Sequence, residues 1–223
     1  MPIVIFKYNL QLLLLLTTFP GMLKDLVEGE KQGYRIFFTG HSLGGALSTL
    51  MAARCAALND FNSTLINVSI ASPFVGDQEF RDCFYEWERS RKIQHLRISN
   101  YEDIVPLIPS WSLLPFPRPY KHTGMHIKLY NKSLIHRYNY LLSYPKKDSI
   151  VNEVRSSLNT NLLNGFNLAI FNHFCTEYSE RMENAKEDLM EMNLTYLYSD
   201  PDRTGWEYKD IEEDKSPEAA AEQ

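Results

Sequence analysis

The segment Gly40-His41-Ser42-Leu43-Gly44 constrains the fold of this chain more than any other feature. An aromatic and β-branched run, Tyr34 to Thr39, precedes it and predicts a short strand. An alanine- and leucine-rich stretch, Leu43 to Leu58, follows it and predicts a helix. A G-x-S-x-G pattern between a strand and a helix is typical of a strained turn that holds a serine hydroxyl above the edge of a sheet. We expect the flanking glycines to be required, because such a turn leaves almost no room for side chains. A glycine-rich turn that binds an anion, or nothing, is the alternative interpretation.

Strands and helices continue to alternate after this turn. We predict strands at 65–71, 93–98 and 126–130 and helices at 79–91, 149–163 and 166–192, with an earlier helix between Pro20 and Gly33. Five prolines between residues 106 and 119 predict a loop there. Alternating strands and helices predict the α/β class, with a mostly parallel sheet covered by helices on both faces.

Composition limits the classes of function. The chain has 223 residues, of which 44% are apolar, so one compact domain is expected and collagen-like, disordered and multi-pass membrane classes are excluded. The net charge is −5, but Ser199 to Gln223 contains nine acidic and three basic residues, a charge of −6, which leaves +1 for the rest. The near-neutral body argues against nucleic acid as a partner. We predict an apolar N-terminal segment at 1–20, a domain at 21–198 and an acidic, disordered tail at 199–223.

Cysteines and sequons give a weaker indication of the compartment. Three scattered cysteines fit either one disulfide with a spare thiol or three reduced thiols: Cys55, Cys83 and Cys175. Four N-x-[ST] sequons favour a secreted or endomembrane protein slightly over a cytoplasmic one: Asn62, Asn67, Asn131 and Asn193. The apolar run from Leu10 to Leu16 follows Lys7, and it fits a signal segment, a buried helix or a buried strand. It is too short to span a bilayer.

Four segments together resemble one known family. Gly40 to Leu47 reads GHSLGGAL, Ala71 to Asp77 reads ASPFVGD, Asn100 to Pro106 reads NYEDIVP, and Tyr120 to Gly124 reads YKHTG. They are similar to the nucleophile, post-strand, acid and histidine-glycine segments of the class 3 (fungal-type) lipases. The resemblance covers about residues 23–181 and implies that 21–198 is the C-terminal portion of an α/β-hydrolase domain. Two positions depart from the family, since Phe74 stands where arginine is common and Ala71 where glycine is common.

The chemistry of a serine nucleophile requires two partners. A serine hydroxyl needs an imidazole to take its proton and a carboxylate to orient that imidazole, and in α/β-hydrolases these follow the serine in the order acid, then base. Asp103 lies just past a predicted strand at the same sheet edge as Ser42, which suits the acid. The alternatives for the acid are Asp77 and Glu102, and Asp103 itself fits a turn-capping role.

Six histidines compete for the role of base. The resemblance implies that His173, at the start of a terminal helix that carries a tyrosine, is the base. It gives His122 a structural role near the active face and places His41 against the turn without a catalytic role. His122 as the base, and His173 as a helix-capping surface residue, remain the alternatives.

The resemblance implies a carboxylic ester hydrolase that acts on acylglycerols or related lipids. Ser42 would attack the ester carbonyl, and the amide of Leu43 would provide one donor of the oxyanion hole. No metal and no organic cofactor are implied. The expected partners are a lipid or ester substrate and, transiently, a lipid interface. A catalytically weak or inactive fragment or scaffold is the alternative function, and a serine peptidase is a more distant one.

One part of the family pattern is not visible in this sequence. The arginine-glycine-threonine loop that supplies the second oxyanion donor is not found in the forty or so residues before Ser42. We therefore expect an N-terminally truncated domain with the strand before Ser42 at a sheet edge, and weak activity or poor solubility. A strand formed by residues 3–8 would cover this edge in place of the missing strands. The apolar side chains between 111 and 116 fit core packing or an acyl groove: Trp111, Leu113, Leu114 and Phe116.

Overall fold

The computed structural model describes residues 10–28, 34–58, 60–109, 120–131, 140–143 and 170–191. Within them, five strands form one sheet in the order β1-β2-β3-β4-β5. The strands are β1 (Ile36–His41), β2 (Leu65–Ile70), β3 (Ile93–Asn100), β4 (Met125–Leu129) and β5 (Tyr140–Ser143). The first four are parallel to one another and β5 is antiparallel to β4. The helices are α1 (Leu10–Val27), α2 (Leu43–Leu58), α3 (Gln78–Arg89), α4 (Cys175–Asn184) and α5 (Lys186–Glu191).

One face of the sheet packs against α1, α2 and α3. Each strand contributes residues from one of its two faces, because successive side chains of a strand point to opposite sides. These residues are Ile36 and Phe38 in β1, Leu65 in β2 and Ile93 in β3. The buried members of the core are Leu16, Ile36, Phe38, Met51, Ala52, Ala53, Cys55, Ala56, Leu65, Phe84 and Ile93. Four of them are small residues of α2, which let this helix lie close to β1 and β2.

The other face of the sheet packs against α4 and the start of α5. Ile98, Ile127 and Leu129 form a second core with Tyr178 and Ala185. Helices therefore cover both faces of a mostly parallel sheet, and the predicted α/β class is confirmed. The carboxyl ends of parallel strands lie at one edge of a sheet, so the residues after β1 and β3 are brought to the same side.

Two predicted elements differ from the structure, and one strand lies where none was predicted. The first helix was predicted to begin after Pro20, but α1 begins at Leu10 and contains this proline. Burial of Leu16 in the first core gives the earlier turns a tertiary partner, which outweighs the local cost of the proline. The single helix predicted for 166–192 is instead α4 and α5, which meet at Ala185. Strand β5 was not predicted.

Several sequence-based expectations lie outside the described residues. These are the strand at 3–8, the apolar loop at 111–116, the helix at 149–163 and the tail at 199–223. Of the described helices, none has the length and apolar character required for a membrane span. All three cysteines are free, and burial raises the pKa of the Cys55 thiol to about 11.

Candidate active site

Ser42 occupies the turn between β1 and α2. Its φ is 58°, a left-handed conformation that non-glycine residues rarely adopt and that costs on the order of 1–3 kcal/mol. Two sets of backbone hydrogen bonds hold it there: the Ser42 amide donates to the Ile70 carbonyl at 2.9 Å, and the Ser42 carbonyl accepts from the Gly45 amide at 2.9 Å. The strained turn that the sequence predicts is therefore present, and it is stabilised by the neighbouring strand and the first turn of α2.

The two glycines of the motif differ in what they do. A Cβ atom on Gly40 would lie 2.3 Å from the backbone carbon of Gly44, so no larger residue fits without moving the turn. A Cβ atom on Gly44 would meet nothing within 4 Å. The expectation that both glycines are sterically required is thus correct for Gly40 and wrong for Gly44, because the latter faces away from the crowded side of the turn.

Three side chains from distant parts of the chain meet at this turn. The Oγ of Ser42 lies 2.9 Å from Nε2 of His173. The Nδ1 of the same ring lies 3.0 Å from Oδ2 and 3.2 Å from Oδ1 of Asp103. Because a carboxylate only accepts hydrogen bonds, Nδ1 carries the proton and Nε2 is left to accept from the serine hydroxyl. This is the arrangement in which an imidazole can take a serine proton.

Asp103 is buried among donors. Its side chain is fully buried, and it accepts from the Val105 amide at 2.9 Å and from the Tyr178 hydroxyl at 2.6 Å as well as from His173. A buried carboxylate stays charged only when such donors replace its water. Burial and the neighbouring Asp103 charge raise the pKa of Tyr178 well above its usual value, so the phenol stays neutral and keeps the proton that it donates. Its oxygen in turn accepts from the amide of Asn100 at 2.8 Å.

His173 lies just before a helix. It precedes α4 by two residues, and its amide donates to the Ile170 carbonyl at 3.1 Å. Its carbonyl accepts from Nε2 of His41 at 2.9 Å, so His41 lies against the turn and supports the residue that contacts Ser42. The position of His41 is the one that the family resemblance implies.

The other histidines are directed elsewhere. Nε2 of His122 donates to the Pro106 carbonyl at 2.8 Å, and its ring stacks on Phe74 with centroids 3.8 Å apart. Burial, followed by the positive charge of Arg97, lowers the pKa values of His122 and His126 well below the usual value, and it lowers that of His95 to about 3. These three imidazoles are therefore neutral, buried hydrogen-bonding groups. His136 lies outside the described residues.

The alternative acids have other partners. Asp77 is the N-cap of α3, where its carboxylate accepts from the Phe80 amide at 3.1 Å. Glu102 has a φ of 70° and accepts from the side-chain amide of Asn172 at 3.4 Å. Of these carboxylates, Asp103 is the one in contact with His173.

Helix α2 begins directly after the serine. Leu43 is its first residue, and amides in the first turn of a helix have no acceptor within the helix. These amides and the helix dipole favour negative charge beside Ser42. Among the described residues, no group of three or more His, Cys, Asp or Glu side chains is arranged to hold a metal ion.

Two residues of the site had no assigned role in the sequence analysis. Tyr178 and Asn100 both lie inside segments that resemble the family, but neither has the chemistry of a nucleophile, base or acid. For Tyr178, the signal in the sequence was its position five residues after His173. Ala71, where the family commonly has glycine, has a φ of 54°, which explains the preference for glycine at that position.

Known proteins resemble this chain over part of its length. The family model for lipase (class 3) matches residues 5–113. A rice protein, phospholipase A1-II 3 of Oryza sativa subsp. japonica, is 40% identical over 87 residues, which is 35% of this chain and 20% of the relative. Phospholipase A1-II 2 of Oryza sativa subsp. indica is 38% identical over 98 residues, 39% of this chain and 23% of the relative. These matches span about a fifth of the relatives' length.

A solved structure gives a partial match as well. The lipase from Rhizopus microsporus var. chinensis superposes with a TM-score of 0.47 at 22% identity, over 66% of this chain and 50% of the lipase. The lipase (class 3) family model and the rice phospholipases A1 are thus what part of this chain is similar to.

Proposed function

We propose that this protein hydrolyses carboxylic esters of acylglycerols or related lipids through an acyl-enzyme on Ser42. The observation that carries the proposal is the continuous set of contacts from Ser42 Oγ through the ring of His173 to Asp103, with distances of 2.9 Å and 3.0 Å. The match of residues 5–113 to the lipase (class 3) family model supports the same chemistry, and the similar rice proteins are named as phospholipases A1.

The acylation step uses the geometry directly. The Ser42 hydroxyl gives its proton to Nε2 of His173 while its oxygen forms a bond to the ester carbonyl carbon. Asp103 stays ionised and stabilises the imidazolium. The carbonyl oxygen becomes an oxyanion beside the first turn of α2, where the Leu43 amide is the proposed donor. When the carbon–oxygen bond to the alcohol breaks, the leaving oxygen takes the proton from Nε2.

Deacylation repeats these steps with water. His173 takes a proton from a water molecule, whose oxygen attacks the acyl carbon, and Ser42 leaves as a hydroxyl after the proton returns from Nε2. The reaction needs no electron transfer, so the proposal includes no cofactor.

Apolar side chains next to the reacting residues favour a lipid substrate. Leu43 is adjacent to Ser42, and Phe171 and Phe174 lie on either side of His173 in the chain. Each of the three is about half exposed or more. Exposed aromatic and aliphatic groups at this edge suit an acyl chain or the surface of a lipid aggregate, and this is the transient interface contact that the proposal includes.

Ester hydrolysis with a matched pair of serine variants tests the proposal. The full chain is assayed on p-nitrophenyl butyrate, a phosphatidylcholine and a triacylglycerol emulsion. Ser42→Ala should reduce turnover at least about 10³-fold. Ser90→Ala, an exposed serine after α3 at the opposite end of the sheet, should leave it unchanged. Equal turnover by the wild type and Ser42→Ala would contradict the proposal, and a folded chain without any turnover would favour the scaffold alternative.

A further inference from the structure

A short segment that we call the base loop, residues 170–174, carries His173. Its apolar side chains Ile170, Phe171 and Phe174 are about half exposed, so burial of apolar surface does little to fix it. Asn172, by contrast, is 2% exposed. The residue next to the imidazole is thus the polar anchor of the loop.

Three elements hold Asn172. The side chain of Asn100, at the end of β3, donates to the Asn172 carbonyl at 2.9 Å. The Nη2 of Arg181, on α4, donates to Asn172 Oδ1. Asn172 Nδ2 donates to Glu102 Oε2 at 3.4 Å. Arg181 also donates to the Tyr101 carbonyl at 3.2 Å, so the same guanidinium contacts the segment that leads to the acid and the segment that leads to the base.

These contacts fix the orientation of the Asn172 amide. A guanidinium only donates hydrogen bonds and a carboxylate only accepts them, so the oxygen of the amide must face Arg181 and its nitrogen must face Glu102. The same Nη2 of Arg181 forms an ion pair with Oε2 of Glu177 at 3.6 Å, which further restrains the guanidinium. Each contact pairs a donor with an acceptor, and Asn172 and Arg181 are buried whereas Glu102 and Glu177 are partly exposed.

We propose that Asn172, Arg181 and Glu102 form a positioning unit that sets the imidazole of His173 relative to Ser42 and Asp103. Asn172 precedes the base by one residue and Glu102 precedes the acid by one residue, so a bond between them fixes the base loop against the acid loop. A shift of the imidazole by about 1 Å is enough to reduce turnover about 10²-fold. The inference rests on the function proposed above and adds residues that do not touch the substrate.

Moving the negative charge from position 102 to position 172 tests the positioning unit. Asn172→Asp keeps the oxygen that faces Arg181 but places a second carboxylate against Glu102. We expect kcat for p-nitrophenyl butyrate to fall about tenfold or more while KM changes less than about twofold, because positioning and not ground-state binding is lost. Adding Glu102→Gln restores a donor opposite the new carboxylate, and the double variant should recover to within about fivefold of the wild type.

A second variant and a matched control keep the test decisive. Arg181→Lys retains the charge opposite Glu177 but lacks the planar fork that reaches both Tyr101 and Asn172, so it should show the same fall in kcat. Asn62→Asp makes the same chemical change at an exposed site before β2, and it should leave both constants unchanged. Thermal unfolding establishes that each variant is folded.

The outcomes separate this inference from the proposed function. Wild-type kcat in folded Asn172→Asp or Arg181→Lys, or a double variant no better than Asn172→Asp, would overturn the positioning unit and leave the proposed function intact. If Asn172→Asp does not fold, Arg181→Lys alone decides in the same way. A wild-type chain without Ser42-dependent turnover would contradict the proposed function and, with it, the inference.

Discussion

The hydroxyl of Tyr178 offers a substitution whose cost is set by two identified hydrogen bonds. This oxygen donates to Oδ2 of Asp103 at 2.6 Å and accepts from the Asn100 amide at 2.8 Å. Tyr178→Phe removes the oxygen and leaves the ring, which is 1% exposed, in its place in the second core.

The expected loss of stability follows from the two groups that lose the Tyr178 hydroxyl as a partner, the Asp103 carboxylate and the Asn100 backbone amide. A hydrogen bond to a charged group contributes about 1.5–3 kcal/mol, and a buried amide without its acceptor costs about 1–3 kcal/mol. We therefore expect Tyr178→Phe to lower the free energy of unfolding by about 3 kcal/mol. Asp103 keeps its bonds to Val105 and His173, so we expect kcat for p-nitrophenyl butyrate to fall by only about tenfold.

Urea unfolding followed by tryptophan fluorescence measures the stability, and initial rates measure kcat. Tyr34→Phe is the matched control, because its hydroxyl also accepts a backbone amide, that of Asn62 at 3.3 Å, but at an exposed position. The control should change the free energy of unfolding by less than about 0.5 kcal/mol. Equal effects of the two substitutions, or a loss under about 1 kcal/mol for Tyr178→Phe, would refute the reasoning.

Three further predictions concern the turn, pH and the acid. Gly40→Ala should destabilise the fold by about 1–3 kcal/mol or more because its Cβ lies 2.3 Å from backbone, whereas Gly44→Ala, with open space around it, should leave the melting temperature unchanged or raised; equal melting temperatures would contradict this. The folded-state pKa of His95, about 3, lies below its ordinary 6.5, so the unfolded chain binds the proton more readily and stability falls as pH drops below 6.5. His95 alone should account for about 1.4 kcal/mol between pH 7.5 and 5.5, seen as a smaller pH slope of urea unfolding in His95→Gln; an unchanged slope would be evidence against it. Asp103→Asn should reduce kcat on the order of 10³–10⁴-fold, because its amide nitrogen would face a donor; steady-state kinetics with a folded variant check this, and a loss below tenfold would contradict it.

Much of the sheet was predictable from local sequence. Strands β1 and β2 are short runs rich in apolar or β-branched residues, β3 alternates such residues with polar ones, and the ends of all three lie within two residues of the prediction. Strand β5, with four residues, is too short to show a period. The start of α1 could not be inferred, because proline ordinarily ends a helix and the compensating contact of Leu16 with the first core is a tertiary one.

The residues at the centre of the site were predictable for a different reason. The G-x-S-x-G motif marks Ser42, the position after a strand suits Asp103 as the acid, and the family resemblance implies His173 as the base; the structure brings these three residues together. The supporting groups could not be selected in this way. Asn172 and Arg181 make contacts across about 70 to 80 residues with backbone and side chains of the acid segment, and no spacing rule encodes such pairs.

Covalent labelling by a fluorophosphonate tests the central claim most directly. The account predicts that the folded chain is modified at Ser42, as located by peptide mass spectrometry, and that His173→Ala slows the labelling by at least about 10²-fold. Labelling at another residue, or labelling of Ser42 at the same rate in His173→Ala, would contradict the claim that the imidazole of His173 activates the Ser42 hydroxyl.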